Sequence, residues 1–376
     1  MVNPFIIKTY VSKNLFCDRE EELENLLRNC SNGINTTLIS HRRMGKTGLI
    51  YRFFEEINDS NLDFYPIYVD IYASRSLSDF IKFLTEAILK SFPENTTFGR
   101  NFMSLIKSFR PLITFDPITG TPQVQITYQS PQEKEHTVKG LFDFLDARDK
   151  KIVLAIDEFQ QIREYPETNT EELLRTYIQP LKNLQFIFCG SKKHMMIDMF
   201  SNIKKPFYAS TQFLALDKID QGRYHSFIET IFRDNGRSIE FEAVLYILEW
   251  TKRHTYYTQS LCNLIFSTDI KEIGIKEVKE ACLQILQMNE TIYLQYRQML
   301  TSGQWNFLIA VAKEQEVSQI TAKAFLSKYD IGTPANSKRI VRSLFDKELI
   351  MENTSKERTS YSVYDVFLSR WLEREY

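Results

Sequence analysis

Two stretches of this chain hold residues of the right type and spacing for chemistry. The first is "TTLISHRRMGKTGLIYRFF", Thr36 to Phe54. In it a β-branched run gives way to Gly45-Lys46-Thr47 and then to an apolar-periodic helix pattern. A loop between a strand and a helix start gathers backbone N–H groups into a concave anion site, to which the helix dipole adds partial positive charge. Gly45 lets the backbone pass close to an anion. Lys46 reaches terminal phosphates as a point charge, and the Thr47 hydroxyl can ligate Mg²⁺. The usual pattern is G-x-x-x-x-G-K-[ST]. Here Ser40 stands at its first position, His41, Arg42, Arg43 and Met44 fill the loop, and Gly48 follows Thr47. A Lys-Thr helix start that binds nothing is the competing reading of this stretch taken alone.

The second stretch is "KIVLAIDEFQQI", an apolar run that delivers Asp157 and Glu158 at its carboxyl end. Ligands of open α/β sheets bind at that end of the strands. Asp157 would hold Mg²⁺, directly or through water, and Glu158 would orient or deprotonate an attacking water. Two adjacent acids at the end of a buried strand are costly unless a cation sits nearby. With the phosphate loop upstream, the pair predicts a nucleoside triphosphate site. A third candidate is Ser191, which ends "LQFIFCGS". It could sense the terminal phosphate from the neighbouring strand, or simply be the small residue of a strand-to-helix turn. Lys192 and Lys193 read as a solvated helix start.

These residues need a sheet to bring them together, and the pattern around them supplies one. After an extended lead-in, "DREEELENLLRNC" is a helix with Asp18 as N-cap and Glu21 three residues on, an acidic capping box. Strand and helix patterns then alternate. "TTLIS", "DFYPIYVDIYA", "KIVLAIDEF", "QFIFCGS" and "STQFLAL" read as strands. "KTGLIYRFFEEI", "LSDFIKFLTEAILKSF", "TEELLRTYIQPLKNL" and "MMIDMF" read as helices. Continuous apolar strands belong to a parallel sheet covered on both faces. The fold class is α/β, with the core domain over residues 1–218. One excursion, "RPLITFDPITGTPQVQITYQ", predicts a β-hairpin insertion near 111–129. Residues 219–298 read as a helical domain. Residues 299–376 give three helices ("SGQWNFLIAVAKEQ", "TAKAFLSKYD", "SKRIVRSLFDKELI"), two short strands and a last helix, the makings of a winged helix. There is no internal repeat and no low-complexity segment.

The combination of "FCDREEELENL", "SHRRMGKTGL", "LAIDEFQQI", "FIFCGS", "KPFYASTQFLAL" and "TKRHTYYTQSLCNLI" resembles the archaeal-type ATPases. These are P-loop NTPases of the AAA+/STAND group, akin to origin-recognition-type initiators, with a helical lid and a C-terminal winged helix. The resemblance spans nearly the whole chain. It implies ATP with Mg²⁺ as the ligand, makes Arg42 and Arg43 a common paired-arginine feature of the loop, and places "DREEELENL" near the adenine. Three departures stand out. Ser40 and His41 replace the usual Gly-Pro, and a serine fits there provided its backbone is not at positive φ. Ala209 and Ser210 replace Gly-Arg, removing an arginine that could meet a phosphate; such a residue contributes ~10³–10⁵ in rate. "TKRHTYY" replaces Gly-Gly-His/Asn-Pro-Tyr-Tyr in the lid; Arg253 or His254 could reach the nucleotide from there, but a surface helix end is the favoured reading.

The remaining composition narrows the partners. Of 376 residues, 43% are hydrophobic and 25% charged, which is globular, and 376 is too long for one core. The net charge of −1 provides no global field for nucleic acid or anionic lipid. No run of 18 apolar residues and no signal peptide is present, so no membrane role is expected. The five scattered cysteines fit buried thiols in a reducing cytoplasm. Lys338, Arg339 and Arg342 on the third helix of the winged helix, with Lys356 and Arg358 on its wing, form a phosphate-contacting set. Glu348, Glu352, Glu357, Glu373 and Glu375 balance them, which disfavours sequence-specific DNA binding. Expected, then, is an ATP-binding protein of low intrinsic hydrolysis acting as a conformational switch. A winged-helix DNA-binding regulator and an ATP-responsive protein-interaction scaffold, docking a protein through lid and winged helix, are the alternatives.

Overall fold

The structure is a computed structural model describing residues 2–60, 62–92, 96–109, 111–115, 122–126, 128, 130–354 and 358–376. It divides into two compact units, Lys8–Lys218 and Ile219–Tyr376, the second joined by Met1–Ile7.

In the first unit the chain runs α1 (Glu20–Ser31), β1 (Thr36–Ile39), α2 (Lys46–Asp59), β2 (Phe64–Asp70), α3 (Leu77–Ser91), α4 (Thr97–Ser108), β3 (Pro111–Phe115), β4 (Pro122–Ile126), α5 (Pro131–Asp146), β5 (Lys151–Asp157), α6 (Thr170–Ile178), β6 (Leu184–Gly190), α7 (Lys193–Ser201) and β7 (Gln212–Ala215). Five strands pair in parallel in the order β2-β5-β6-β1-β7. Successive strand residues face opposite sides, and both sides are apolar here. Leu154, Ile156, Phe186 and Phe188 join the core that α3, α5 and α6 cover with Phe80, Phe142 and Leu174. Val153, Ala155, Ile187 and Cys189 join the core that α1 and α2 cover with Leu26, Leu49 and Phe53. Burial of a side chain such as Phe188 stabilises by about 1.5–3 kcal/mol. A strand buried on both faces is apolar along most of its length, which is why β5 and β6 carry no alternation; buried Gln185 is the exception on β6.

Three details differ from the sequence reading. The N-cap of α1 is not Asp18. α1 starts at Glu20, and its N-cap is Arg19 at φ 81°, with no side-chain cap. Arg19 is buried and instead pairs with Glu22 at 2.7 Å and donates to the Asp217 carbonyl at 2.5 Å. Two helices join the alternation unannounced, α4 and α5. Each opens on a side-chain cap, Thr96 accepting from Gly99 N–H and Ser130 from Glu133 N–H. Third, residues 1–7 pack with the second unit. Phe5 is buried between the rings of Phe232, 5.0 Å away, and Phe266. The expected hairpin is present as antiparallel β3 and β4, with Phe115 opposite Pro122; its turn, with Pro117 and Gly120, lies outside the described residues.

The second unit continues with α8 (Gln221–Asp234), β8 (Ser238–Ile239), α9 (Phe241–Trp250), α10 (Thr255–Phe266), β9 (Glu272–Ile273) and α11 (Ile275–Met299). Then follow α12 (Ser302–Lys313), α13 (Lys323–Lys328), α14 (Pro334–Asp346), β10 (Ile350–Thr354), β11 (Thr359–Val363) and α15 (Val366–Glu375). One core runs through both parts. Tyr257, Ile285 and Tyr293 cluster with Trp305, Phe307, Phe367 and Trp371. The expected boundary at 298/299 falls at the end of α11, within this continuous core. All five cysteines are buried free thiols. Among the described residues no helix is long and apolar enough to cross a membrane.

Candidate functional site

β1 and β5 are separated only by β6, so the loop after β1 and the acids ending β5 emerge at the same edge of the sheet. Gly45 is the N-cap of α2 at φ 96°, a left-handed conformation that a side chain would strain. Arg43 is also left-handed, at φ 62°, whereas Ser40 is not, so serine meets the condition set for it above. Ser40 is buried, and its hydroxyl donates to the His41 carbonyl at 2.8 Å. Met44 is buried under the loop, and Gly48 lies against the Phe16 ring. Arg42 reaches out of the loop to β6, where its Nε–H donates to Ser191 Oγ at 3.3 Å.

Lys46 opens α2 and is 7% exposed. Among the described residues it pairs with no carboxylate, so its buried charge is suited to an anion brought from outside. Thr47 Oγ1 donates to Asp157 Oδ2 at 2.9 Å. The hydroxyl of Tyr68 on β2 donates to the same oxygen at 2.8 Å, and Glu158 N–H donates to Oδ1 at 3.0 Å. Tyr68 is well raised in pKa, by burial first and then by Asp157, and stays a donor at any physiological pH.

Glu158 follows at φ 57°, capping the short turn Phe159–Glu164. Its Oε2 accepts from Ser191 Oγ at 2.7 Å and Gln160 Nε2 at 2.5 Å. Asp70 ends β2 opposite Asp157. Its pKa is raised by loss of solvent and by the charges of Asp157 and Glu158. Among the described residues no three carboxylate, histidine or cysteine side chains converge on one point; the oxygen donors that do meet are Thr47 and Asp157, a hard pair of the kind a divalent cation takes with phosphate oxygens and waters. The pKa of His41 is lowered, mainly by burial and further by the ammonium groups of Lys193 and Lys46.

The structure therefore brings Ser40, His41, Arg42, Arg43, Met44, Gly45, Lys46, Thr47 and Gly48 together with Asp157, Glu158 and Ser191. The sequence reading missed Tyr68 and Gln160. Tyr68 becomes visible only once β2 is known to lie beside β5. Gln160 was signalled by its place two residues after Glu158. Arg253 is placed in the second unit, where its guanidinium donates to the Ile219 carbonyl at 3.3 Å, and His254 caps α10. Lys252, Arg253 and Ala209, standing where the resembled family carries glycines, are all left-handed, at φ 55°, 55° and 52°. The glycine backbone is kept without the glycines.

In the winged helix, Lys338, Arg339 and Arg342 are exposed on α14. Arg339 donates to Asn336 Oδ1 at 2.9 Å. Lys356 and Glu357 of the expected wing lie outside the described residues.

Residues 16–253 match the family described as an ATPase domain predominantly from Archaea. Residues 291–374 match one described as "Probable winged helix domain". Among solved structures, the Walker-type ATPase PABY2304 of Pyrococcus abyssi is similar with a TM-score of 0.66 and 18% identity, covering 98% of this chain and 99% of that one. ORC2 of Aeropyrum pernix, in its ADPNP-ADP complexes, gives 0.55 at 14% identity over 99% of this chain and 96% of that one. ORC1 of Aeropyrum pernix in complex with DNA gives 0.50 at 13% identity over 96% and 93%. At these identities the likeness is one of fold. No curated protein matches the chain.

Proposed function

The chain belongs to the family of ATPase domains found predominantly in Archaea, and from that premise we propose that it binds ATP with Mg²⁺, hydrolyses it slowly and serves as a nucleotide-controlled conformational switch. The observation that carries this is the Thr47–Asp157 hydrogen bond beside the buried Lys46, which pairs with no carboxylate among the described residues. It gathers an ammonium group suited to phosphate and two oxygen donors at one point. Lys46 and the loop N–H groups would hold the terminal phosphates. Thr47 and Asp157 would hold Mg²⁺, with Tyr68 keeping the carboxylate in place. The metal, when bound, neutralises charge on the transferred phosphoryl group.

Glu158 lies one residue further along and would orient the attacking water. The water oxygen bonds to the γ-phosphorus as the bond from that phosphorus to the β,γ-bridging oxygen breaks. ADP leaves with the electron pair, and the water proton passes to Glu158 and on to the released phosphate. Turnover is slow in this reading because Ala209 and Ser210 offer no arginine to the transition state. Calorimetry with Mg–ATP on wild type and Lys46→Ala tests it. Equal binding by the two proteins, or none by wild type, rejects the reading.

A second reading rests on the exposed Lys338, Arg339 and Arg342. Three cations spaced along one face of α14 suit a nucleic-acid backbone, which would make DNA the switch's output. Docking of a protein partner through the helical segment and winged helix is the alternative output.

A further inference from the structure

We propose that Gln160 is a positioning residue for the hydrolytic glutamate, holding the Glu158 carboxylate together with Ser191, and that Gly190 is a glycine in order to admit it. The inference rests on the proposed ATP hydrolysis.

Gln160 is 2% exposed, and its Nε2 lies 2.5 Å from Glu158 Oε2. Its Oε1 is buried with no hydrogen-bond partner. A buried amide with one unsatisfied end calls for an explanation, and its other end supplies one. Turning the amide over would set its oxygen against the Glu158 carboxylate, so charge fixes the donor toward Oε2. Ser191 Oγ donates to the same oxygen at 2.7 Å. Both donors therefore meet Oε2, and among the described residues Oε1 of Glu158 takes no hydrogen bond. One carboxylate oxygen is anchored and the other is available to a water. Glu158, left-handed, caps the turn that carries Gln160, and its side chain meets Ser191 just past the end of β6.

Space around Gln160 is set by β6. A Cβ on Gly190 would sit 2.3 Å from Gln160 Oε1 and 2.5 Å from Met196 Cγ. Any side chain there must displace both the amide and Met196. Ser191, the next residue, also receives the Arg42 Nε–H at 3.3 Å. The anchored glutamate is thus tied, through Ser191, to the loop that would hold the phosphates. Misplacing a reacting group by about 1 Å costs on the order of 100-fold in rate, so a dedicated anchor has a large effect to exert.

The test compares Gln160→Met, of similar size but with neither charge nor donor, with Gln160→Ala and Gly190→Ala. Each is assayed for Mg–ATPγS affinity by calorimetry, for trapping of Mg–ADP–aluminium fluoride, and for kcat and KM. We expect ATPγS affinity and KM within about threefold of wild type, with kcat and trapping both reduced by roughly 10–100-fold. Gln160→Met should behave like Gln160→Ala, because size is nearly preserved and the donor is gone. If Gln160→Met traps and turns over like wild type, Gln160 serves packing alone and the inference fails. Should Gln160→Ala or Gly190→Ala not fold, Gln160→Met still decides. Wild type that binds no Mg–ATPγS overturns the proposed function and this inference with it; normal binding with unchanged variants overturns this inference alone.

Discussion

The hydroxyl of Thr47, in the first turn of α2, donates to Oδ2 of Asp157, the last residue of β5, across 2.9 Å and 110 residues of sequence. That bond joins the two halves of the site. If the site binds Mg–ATP, a hundredfold excess over the dissociation constant stabilises the protein by ~2.7 kcal/mol. Thermal melts should show this shift in wild type and lose it in Lys46→Ala. In Thr47→Ala the shift should shrink and lose its dependence on added Mg²⁺.

Replacing Glu158 by Gln removes the proton acceptor and keeps the shape. Nucleotide affinity should hold while single-turnover hydrolysis falls by ~10²–10⁴. Phosphate release measured at saturating ATP checks it, and undiminished release would assign the acceptor role elsewhere.

Ala209 and Lys252 carry left-handed backbones without being glycine. A left-handed L-residue costs roughly 1–2 kcal/mol, and glycine returns about 0.5–1 kcal/mol of that as unfolded-state entropy. Ala209→Gly should stabilise by about 0.5–1 kcal/mol. Urea midpoints at unchanged slope are the measurement. Arg253→Gly should gain less, because its guanidinium bond to the Ile219 carbonyl is lost.

His41 titrates below its usual 6.5 in the folded chain, mainly because it is buried, and further because Lys193 and Lys46 repel its proton. The unfolded chain takes that proton first as the pH falls. Stability from this residue is therefore full above pH 6.5 and declines below it, until the folded histidine is protonated too. His41→Gln should flatten part of the loss of stability between neutral and mildly acidic pH, read from urea melts across that range.

On α14, Arg339→Ala with Arg342→Ala removes two exposed cations. If this helix meets duplex DNA, the salt dependence of binding should lessen by about 0.9 per lost phosphate contact, equally for every sequence tried. Electrophoretic shifts at graded salt decide it. No binding by wild type at low salt removes DNA as the output.

How much was legible beforehand varies with the range of the interaction. The phosphate loop and the Asp157-Glu158 strand end are local patterns, set by a glycine's freedom and by five apolar residues before two acids. The helices α4 and α5 were legible too, through Thr96 and the Ser130-Pro131 cap, but lay beside a hairpin pattern that drew attention to strands. The reading of Asp18 as N-cap was misleading. Arg19, fixed by Glu22 and the Asp217 carbonyl, sets where α1 begins. No spacing within α1 encodes a carbonyl 198 residues away.

By itself the sequence determined the chemistry available: a lysine and a threonine at a helix start, two acids at a strand end, and apolar strands that require a doubly covered parallel sheet. Period and residue type suffice for that, because they act within one element. The tertiary structure alone decided which groups meet. Strand order β2-β5-β6-β1-β7 puts Tyr68 on Asp157 and Ser191 on Glu158. It also gives Gln160 its room against Gly190. Such meetings depend on which strands become neighbours, and that follows from burying both faces of the whole sheet at once.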